Sequence, residues 1–441
     1  MRMNKRLFLS ILSISFLWLA GLGLTLKPSV AQAALPVGYT VCASENGTCS
    51  FSGTKIVAYG ANNSFVYKRD VSTSTPCTNA VFGDPAVGVG KSCYYGDYTV
   101  CAIENGTCSF SETKSVAYGA NNLFNYKEDV AISTPCTNAV FGDPAAGVSK
   151  SCYYGDQKTS YILSYFGGNP YQESVKLAYS TNGRNWTALN NNGGIVNATI
   201  GSKSVRDPFI LRKQDNKFVV LATQGWDNNS IYVWDSTDLV TFTNERLIRV
   251  NNFSGRAWAP QAIWNPAAKN YIVYWSAFPA GGGANQTYYN TTTDFVNFSG
   301  PAAYFNPGHD EIDADIQYWN GAYYLYYKDE RSGGTSGKTI LSAKSNSLNA
   351  GSFVPQGKVL SPVNTEGPAT FKAVGINKWY MYYDFFAAGG FGLSSSTDIN
   401  NVNGWVQEPS GSFSLPAGVR HATVVKVTSN ELNAIKAKWG Q

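Results

Sequence analysis

From about residue 157 to the C-terminus, the chain repeats one pattern of polar and apolar positions. A short polar turn leads into an aromatic residue, and this unit returns roughly every 55 residues, a period typical of β-propeller blades. The aromatic residues are Trp186, Phe242, Phe298, Phe353 and Trp405. The segments between them are short runs rich in β-branched and aromatic residues, which predict strands. The pattern therefore predicts an all-β domain, a five-bladed β-propeller over residues 157–441.

A second series of motifs lies between these turns, and each motif opens one apolar strand. Aligned by sequence, the series is headed by Asp207, Gln261, Asp313, Glu366 and His421. The innermost strand of each blade lines the central channel, so equivalent positions should converge at its mouth. Carboxylates gathered in this way are desolvated beside like charges, which is typical of a functional site. The alternative is that the Asp-Pro and Glu-Gly-Pro segments only form turns that open strands.

The order of the two series also predicts how the ring closes. The strand that begins at His421 has almost no chain after it, whereas Trp186 precedes the first strand of the second series. We therefore expect strands near residues 161–165, 175–179 and 186–189 to complete the blade that His421 begins. This closure removes exposed strand edges.

Residues 39–97 and 98–156 are two copies of one small β-rich module. Each cysteine of the second copy lies 59 residues after its counterpart, as Cys101 does after Cys42. The eight cysteines are Cys42, Cys49, Cys77, Cys93, Cys101, Cys108, Cys136 and Cys152. They predict two disulfides per module with three connectivities open, and zinc is the rival interpretation. The modules resemble cystine-stabilised accessory modules of secreted microbial polysaccharide-active proteins. Their aromatic residues either stack on sugars or fill a small core, and the candidates are Tyr94, Tyr95, Tyr153 and Tyr154.

Residues 1–33 have the basic start, apolar run and small-residue end of a secretory signal peptide, with an uncleaved membrane anchor as the alternative. Either interpretation places the rest of the chain outside the cytoplasm. The whole chain has 34 basic and 29 acidic residues and a net charge of +5. The leader holds four basic and no acidic residues, so the remainder has 34 − 4 = 30 basic against 29 acidic residues, a net charge of +1. Neither nucleic acid nor a membrane surface is therefore expected as a partner, and we expect a secreted monomer.

The strand-opening motifs of the propeller resemble those of glycoside hydrolase family 43. They are Arg206-Asp207-Pro208, Trp258-Ala259-Pro260, Ile312-Asp313, Glu366-Gly367-Pro368 and Arg420-His421-Ala422. The resemblance implies inverting hydrolysis, with Asp207 as general base, Glu366 as general acid and Asp313 as the residue that raises the pKa of the acid. Such cleavage requires one carboxylic acid to protonate the leaving oxygen and one carboxylate to activate water.

Further residues are candidates for substrate binding. They are Trp226, Trp258, Gln261, Arg206, Arg420 and Asp315, with Trp319 as an additional stacking candidate. Asp315 is also the alternative to Asp313 as the modulating carboxylate. In the family, the residue that corresponds to His421 holds calcium through water, so a structural Ca²⁺ near the axis is expected, with a buried core histidine as the alternative. No cofactor is expected to be required.

The resemblance implies cleavage of α-L-arabinofuranosyl or β-D-xylosyl linkages in plant cell-wall polysaccharides. Two alternatives stay open. One is a related five-bladed hydrolase acting on fructans, although there the residue after the acid differs from Gly367. The other is a propeller or adhesin that binds glycans without cleaving them, against which the retention of all three carboxylates argues.

Overall fold

The computed structural model describes residues 39–62, 64–96, 98–110, 113–120, 123–156, 158–167, 173–332 and 337–440. The leader predicted at residues 1–33 lies outside this range. The chain is almost entirely β, as predicted, and no helix within the described residues has the length and apolar character needed to cross a membrane.

The two modules fold as separate antiparallel sheets. The strands of the first are β1 Thr40–Ser44, β2 Thr48–Ala61, β3 Ser64–Pro76 and β4 Ser92–Gly96, with the short helix α1 Asn79–Phe82. Those of the second are β5 Tyr98–Ile103, β6 Thr107–Ser109, β7 Lys114–Ala120, β8 Leu123–Val130, β9 Ser133–Pro135 and β10 Ser151–Gly155, with α2 Asn138–Phe141. The main sheets have the orders β1-β4-β2-β3 and β5-β10-β7-β8, and β6 pairs with β9.

Four disulfides decide the connectivity that the sequence left open. They are Cys42–Cys49, Cys77–Cys93, Cys101–Cys108 and Cys136–Cys152. The same pairing recurs in both copies, which confirms the disulfide prediction. Domains this small bury too little apolar surface to be stable without such cross-links.

The aromatic residues considered for sugar stacking pack inside the modules. Tyr94 contacts Phe65 and Tyr153 contacts Phe124, both edge to face, with ring centroids 5.7 and 5.9 Å apart. Both pairs belong to one apolar cluster that residues of the two modules share, including Ala58. Tyr95 and Tyr154 likewise lie against phenylalanine rings of their own module. The structure therefore favours the core interpretation for these four tyrosines.

The propeller has five four-stranded antiparallel sheets, as predicted. Blade I contains β14 Val205–Arg212, β15 Phe218–Gln224, β16 Ser230–Ser236 and β17 Phe242–Arg249. Blade II contains β18 Trp258–Asn265, β19 Asn270–Ala277, β20 Gln286–Thr292 and β21 Ala302–Phe305. Blade III contains β22 Glu311–Trp319, β23 Ala322–Asp329, β24 Ile340–Ser345 and β25 Val354–Pro355. Blade IV contains β26 Glu366–Lys372, β27 Trp379–Asp384, β28 Phe391–Ser396 and β29 Val406–Gln407.

Blade V closes the ring from both ends of the domain. Its strands are β11 Ser160–Phe166, β12 Lys176–Ser180, β13 Thr187–Ala188 and β30 Arg420–Val427, in the order β13-β12-β11-β30. The predicted closure is confirmed. Five apolar clusters fill the five gaps between neighbouring blades, so each blade is held by the two beside it.

The polar turn of the sequence pattern has a structural cause. In blade I the Ser236 hydroxyl accepts the Leu239 N–H at 2.9 Å, and Asp238 Oδ1 accepts the Thr241 N–H at 2.8 Å. In other blades the hydroxyls of Ser180 and Thr292 accept the N–H of the residue three positions on, each at 2.9 Å. Short hydroxyl and carboxylate side chains that satisfy turn N–H groups explain why this motif recurs.

The final helix, α3 Ser429–Trp439, and the second module meet the propeller away from the channel mouth. Tyr126 Oη donates to the carbonyl oxygen of Gln214 at 2.8 Å, and Asn430 Nδ2 donates to Asp156 at 3.1 Å. Gln214 follows the end of β14, whereas Asp207 lies near its start. The modules therefore contact the face opposite to the end of the strands that carries the predicted site.

Candidate active site

A single unusual backbone position opens every inner strand. Asp207, Ala259, Asp313, Gly367 and His421 have φ values of 47°, 45°, 61°, 58° and 35°, all in the left-handed region. The register of each inner strand shifts at the same place, as it does between Arg206 and Phe209. These bulges lie at equivalent positions around the ring.

This geometry corrects the sequence alignment of the strand-opening residues. Glu366 lies one position before the left-handed residue of its blade, and Gln261 lies two positions after it. The true equivalents are Gly367 and Ala259, so only blades I, III and V place a polar side chain at the left-handed position. A one-residue offset matters because neighbouring residues of a strand point to opposite faces.

In three cases, a side chain on the second strand of one blade accepts a hydrogen bond from the backbone N–H of the left-handed residue in the next blade. Thr223 Oγ1 accepts the Ala259 N–H at 2.8 Å, and Ser276 Oγ accepts the Asp313 N–H at 3.1 Å. Asp384 Oδ2 accepts the His421 N–H at 3.4 Å. The left-handed conformation costs an L-residue roughly 1–2 kcal/mol, and such hydrogen bonds offset part of it.

A pocket at the mouth of the channel collects the predicted catalytic side chains. It holds about 390 Å³ of empty space, including its open mouth. The lining residues are Arg206, Asp207, Trp226, Trp258, Ile312, Asp313, Glu366 and His421. His421 Nδ1 lies 3.6 Å from Asp207 Oδ1 and 3.9 Å from Asp313 Oδ2. The Gly367 N–H donates to Asp313 Oδ2 at 3.1 Å.

The charged groups in this pocket shift one another's pKa values. Burial raises the pKa of Asp313 to about 7, although the nearby His421 charge opposes the shift. Burial lowers the pKa of His421, but the charges of Asp207, Asp313 and Glu366 outweigh it and raise that pKa above its ordinary value. The imidazole is therefore suited to carry a proton between two aspartates.

Both oxygens of Glu366 are paired with cations. Lys328 Nζ lies 2.8 Å from Oε2, and Arg420 Nη2 lies 3.0 Å from Oε1. Burial raises the pKa of Glu366, but Lys328, His421 and Arg420 outweigh it, so the pKa falls below its ordinary value. This corrects the expectation that Asp313 keeps Glu366 protonated in the free protein, because the two cations contact Glu366 directly.

Residues 156–433 of the chain match the family Glyco_hydro_43_rel, described as "Probable glycosyl hydrolase domain". The match covers more than half of the chain. The protein belongs to this family 43-related group of glycoside hydrolases. The resemblance drawn from the strand-opening motifs is therefore confirmed.

Two curated proteins are similar to this member of the group. An α-L-arabinofuranosidase of Bifidobacterium longum subsp. longum is 27% identical over 212 residues, which are 40% of this chain and 19% of that protein. The uncharacterized protein L701 of Acanthamoeba polyphaga mimivirus is 27% identical over 143 residues, 26% of this chain and 70% of that protein. The chain thus spans about a fifth of the length of the arabinofuranosidase that it matches.

Solved structures of similar fold include two glycoside hydrolases. An endo-1,4-β-xylanase from Bacteroides thetaiotaomicron is 17% identical, with a TM-score of 0.46 over 57% of this chain and 91% of that one. An α-L-arabinofuranosidase from Clostridium thermocellum is 18% identical, with a TM-score of 0.41 over 53% of this chain and 82% of that one.

Two residues predicted to bind substrate lie below the pocket of this family 43-related domain. Gln261 is buried and accepts a hydrogen bond from Tyr274 Oη at 3.1 Å. Asp315 is buried, and its Oδ2 accepts the Thr370 N–H at 2.8 Å. Burial raises the pKa of Asp315 to about 6. Gln261 thus contacts the second strand of its own blade, whereas Asp315 joins the inner strands of blades III and IV. Trp319, the additional stacking candidate, packs against another tryptophan between blades III and IV.

The other predicted binding residues lie at the pocket rim. Arg206 pairs with buried Glu173 at 2.5 Å and stacks on Trp226. Trp258 Nε1 donates to the backbone oxygen of Trp226 at 2.7 Å. Arg420 joins Glu366 to Asp384 through ion pairs.

Sequence reasoning missed two residues beside the pocket. Lys328 contacts Glu366 and lowers the pKa of that carboxyl, and Asp384 forms an ion pair with Arg420. Both lie near the end of the second strand of their blades, at the position that Thr223 and Ser276 occupy in blades I and II. A search for polar residues at that strand end, again about one blade apart, could have found them.

The described residues offer no ligand set for the expected calcium ion. They contain no group of three or more His, Cys, Asp or Glu side chains arranged to hold a metal. His421 Nδ1 faces two carboxylates, and its raised pKa favours a protonated ring, whereas a metal ligand must be neutral. The calcium ion stays a prediction from sequence, and no step below involves it.

Proposed function

We propose that the protein is a glycosidase that hydrolyses glycosidic bonds of plant cell-wall polysaccharides with inversion. The observation that carries this proposal is the convergence of Asp207, Asp313, Glu366 and His421 in one pocket of a family 43-related domain. The substrate favoured is an α-L-arabinofuranosyl or β-D-xylosyl linkage. The similarity to an α-L-arabinofuranosidase over 212 residues supports the first of these.

In this proposal Asp207 takes a proton from water, and the water oxygen forms a bond to the anomeric carbon. The glycosidic C–O bond breaks on the opposite face, and Glu366 gives its proton to the departing oxygen. Asp207 ends protonated and Glu366 ionised, and exchange with solvent restores both. His421 positions the Asp207 carboxylate through its Nδ1, 3.6 Å away.

Glu366 must gain a proton before it can act as the acid. Its Oε1 partner, Arg420, has a side chain 36% exposed, whereas Lys328 is 5% exposed. We infer that the leaving group displaces Arg420 from Oε1. Loss of that cation raises the pKa of Glu366, so that the carboxyl can take up the proton that it donates.

The protein is further proposed to act outside the cytoplasm. Its four disulfides support this location, because such cross-links persist in oxidising compartments.

The test is hydrolysis of aryl α-L-arabinofuranoside, β-D-xyloside and β-D-galactofuranoside, followed by NMR of the product anomer. Asp207→Asn is expected to reduce turnover of the aryl glycosides by at least about 100-fold. Glu366→Gln should cause a loss of that size on polymers, because an aryl leaving group needs less help from an acid. Exposed Asp227, beside the pocket rim, supplies the control Asp227→Asn, which should leave turnover unchanged. Arabinan and arabinoxylan follow as polymeric substrates. If the wild type cleaves neither type, the glycan-binding alternative replaces this proposal; if the first product retains its configuration, inversion is wrong.

A further inference from the structure

Six side chains form a continuous stack along the pocket rim, here called the rim ladder. Its members are Phe166, Arg206, Trp226, Trp258, Arg256 and Phe278. The Arg206 guanidinium lies 4.5 and 4.1 Å from two ring centroids, and that of Arg256 lies 4.1 and 4.9 Å from two others. The two indoles meet at 84° with centroids 5.8 Å apart. Each arginine is therefore held between two aromatic rings.

The two arginines of the rim ladder differ in how their charge is compensated. Arg206 forms an ion pair with Glu173 at 2.5 Å, and both side chains are buried. Arg256 donates to Asn285 Oδ1 at 3.2 Å, and within the described ranges of the chain no carboxylate lies within 4.0 Å of it. The ion pair with Glu173 explains the charge of Arg206, whereas among the described residues no carboxylate pairs with the charge of Arg256.

The neighbourhood of Arg256 keeps its guanidinium in place. Asp310 Oδ1 accepts both the backbone N–H and the Nδ2 group of Asn285, each at 2.8 Å. This fixes the Asn285 amide so that its oxygen faces Arg256. Two flanking rings and an oriented amide restrict the guanidinium before any ligand binds, which lowers the entropy cost of binding. A planar guanidinium with free N–H groups matches a carboxylate.

We propose that Arg256 binds the carboxylate of a uronic acid unit in the glycan substrate. The site rests on the proposed function and specifies its substrate class, because Arg256 stacks on Trp258, which lines the pocket with Asp207 and Glu366. The sugar to be cleaved occupies the pocket, and the uronic acid unit lies over the rim ladder beside it. Trp226, 56% exposed, offers apolar surface for the same unit.

The test measures binding by titration calorimetry on the full chain carrying Asp207→Asn, so that no substrate is turned over. The two probes are a xylo-oligosaccharide with one glucuronic acid branch and the same oligosaccharide without it. We expect the acidic probe to bind at least about tenfold more tightly at low salt, and the preference to fall as salt rises. Adding Arg256→Gln should remove the preference and leave binding of the neutral probe intact, which also shows that the variant is folded.

The matched control is Arg249→Gln, which removes an exposed positive charge whose Nε donates to the Asn251 carbonyl. This variant should keep the preference for the acidic probe. Equal binding of the two probes by the parent protein would overturn the uronic acid site and leave the proposed function standing. Equal loss of preference with Arg249→Gln would also overturn it, because the effect would then come from net charge. If neither probe binds, the uronic acid site is wrong, and the hydrolysis test on arabinofuranosides and arabinan judges the proposed function separately.

Discussion

Replacing Gly367 by alanine tests whether the ring of left-handed residues positions the catalytic groups. Gly367 has φ of 58°, and a Cβ built there would lie 3.0 Å from His421 Nδ1 and 3.1 Å from its Cγ. An L-residue at this φ costs roughly 1–2 kcal/mol. The contact with the imidazole adds strain of up to about 1–3 kcal/mol unless His421 moves. We expect the ring to move, because it lies beside an open pocket whereas the glycine backbone is bonded to Asp313.

The expected result is a loss of activity out of proportion to the loss of stability. Gly367→Ala should lower the free energy of unfolding by about 1–3 kcal/mol and reduce kcat by more than tenfold, since His421 no longer faces Asp207 and Asp313. Chemical denaturation and aryl glycoside hydrolysis measure the two effects. Ala259→Gly, at the equivalent position of blade II, relieves the same strain away from the carboxylates. It should retain activity and keep stability within about 1 kcal/mol. The reasoning fails if Gly367→Ala keeps wild-type kcat or if both variants lose it equally.

Three further changes have defined outcomes. Lys328→Met removes the ammonium beside Glu366 and therefore raises the pKa of that carboxyl. The alkaline limb of the pH profile of kcat/KM should then move to higher pH. A limb that does not move would contradict the role of Glu366 as the acid. Arg212→Met leaves the carboxylate of Glu431, 7% exposed, without its 2.7 Å partner. It should destabilise the protein by about 3–5 kcal/mol in denaturant, with Arg212→Met/Glu431→Gln recovering most of the loss. Arg212 lowers the pKa of Glu431 despite burial, so this stabilisation is present above the unfolded carboxyl's pKa and should be lost as pH falls below it. Replacing Cys77 and Cys93 by serine opens a loop of 16 residues and should weaken the first module by about 3 kcal/mol. Limited proteolysis should then cut that module first, while aryl glycoside hydrolysis by the propeller persists.

Local chemistry was sufficient to predict much of the fold from the sequence. The turns at Ser236 and Thr292 repeat because a hydroxyl and a carboxylate satisfy neighbouring backbone N–H groups, so the repeat is visible in the sequence. Five such repeats with β-rich segments imply five blades, and the phase between the two motif series implies closure by the N-terminal strands. The cysteine spacing likewise implied disulfides, although their pairing depended on which strands became neighbours.

The candidate site could be predicted only in part. Asp207, Asp313 and Glu366 were found because they occur in motifs that repeat with the blades. The face of the strand on which each residue lies could not be predicted in the same way. A bulge of one residue exchanges the two faces of a strand, and the sequence does not mark where a bulge occurs. Gln261 and Asp315 were assigned to the pocket for that reason. The structure instead gives both buried contacts, Gln261 with the second strand of its own blade and Asp315 with the inner strand of blade IV.

The number of blades, the duplicated modules and the candidate catalytic carboxylates were predicted from residues close together in the chain. The protonation of those carboxylates depended on residues far apart in it. Lys328, Glu366 and Arg420 come from three different blades, and their charges meet only because the ring closes. Electrostatic interactions depend on distance in space and on burial, neither of which a linear pattern contains. The sequence by itself therefore determined which acids are present, and only the tertiary structure decided in which direction the pKa of each one shifts.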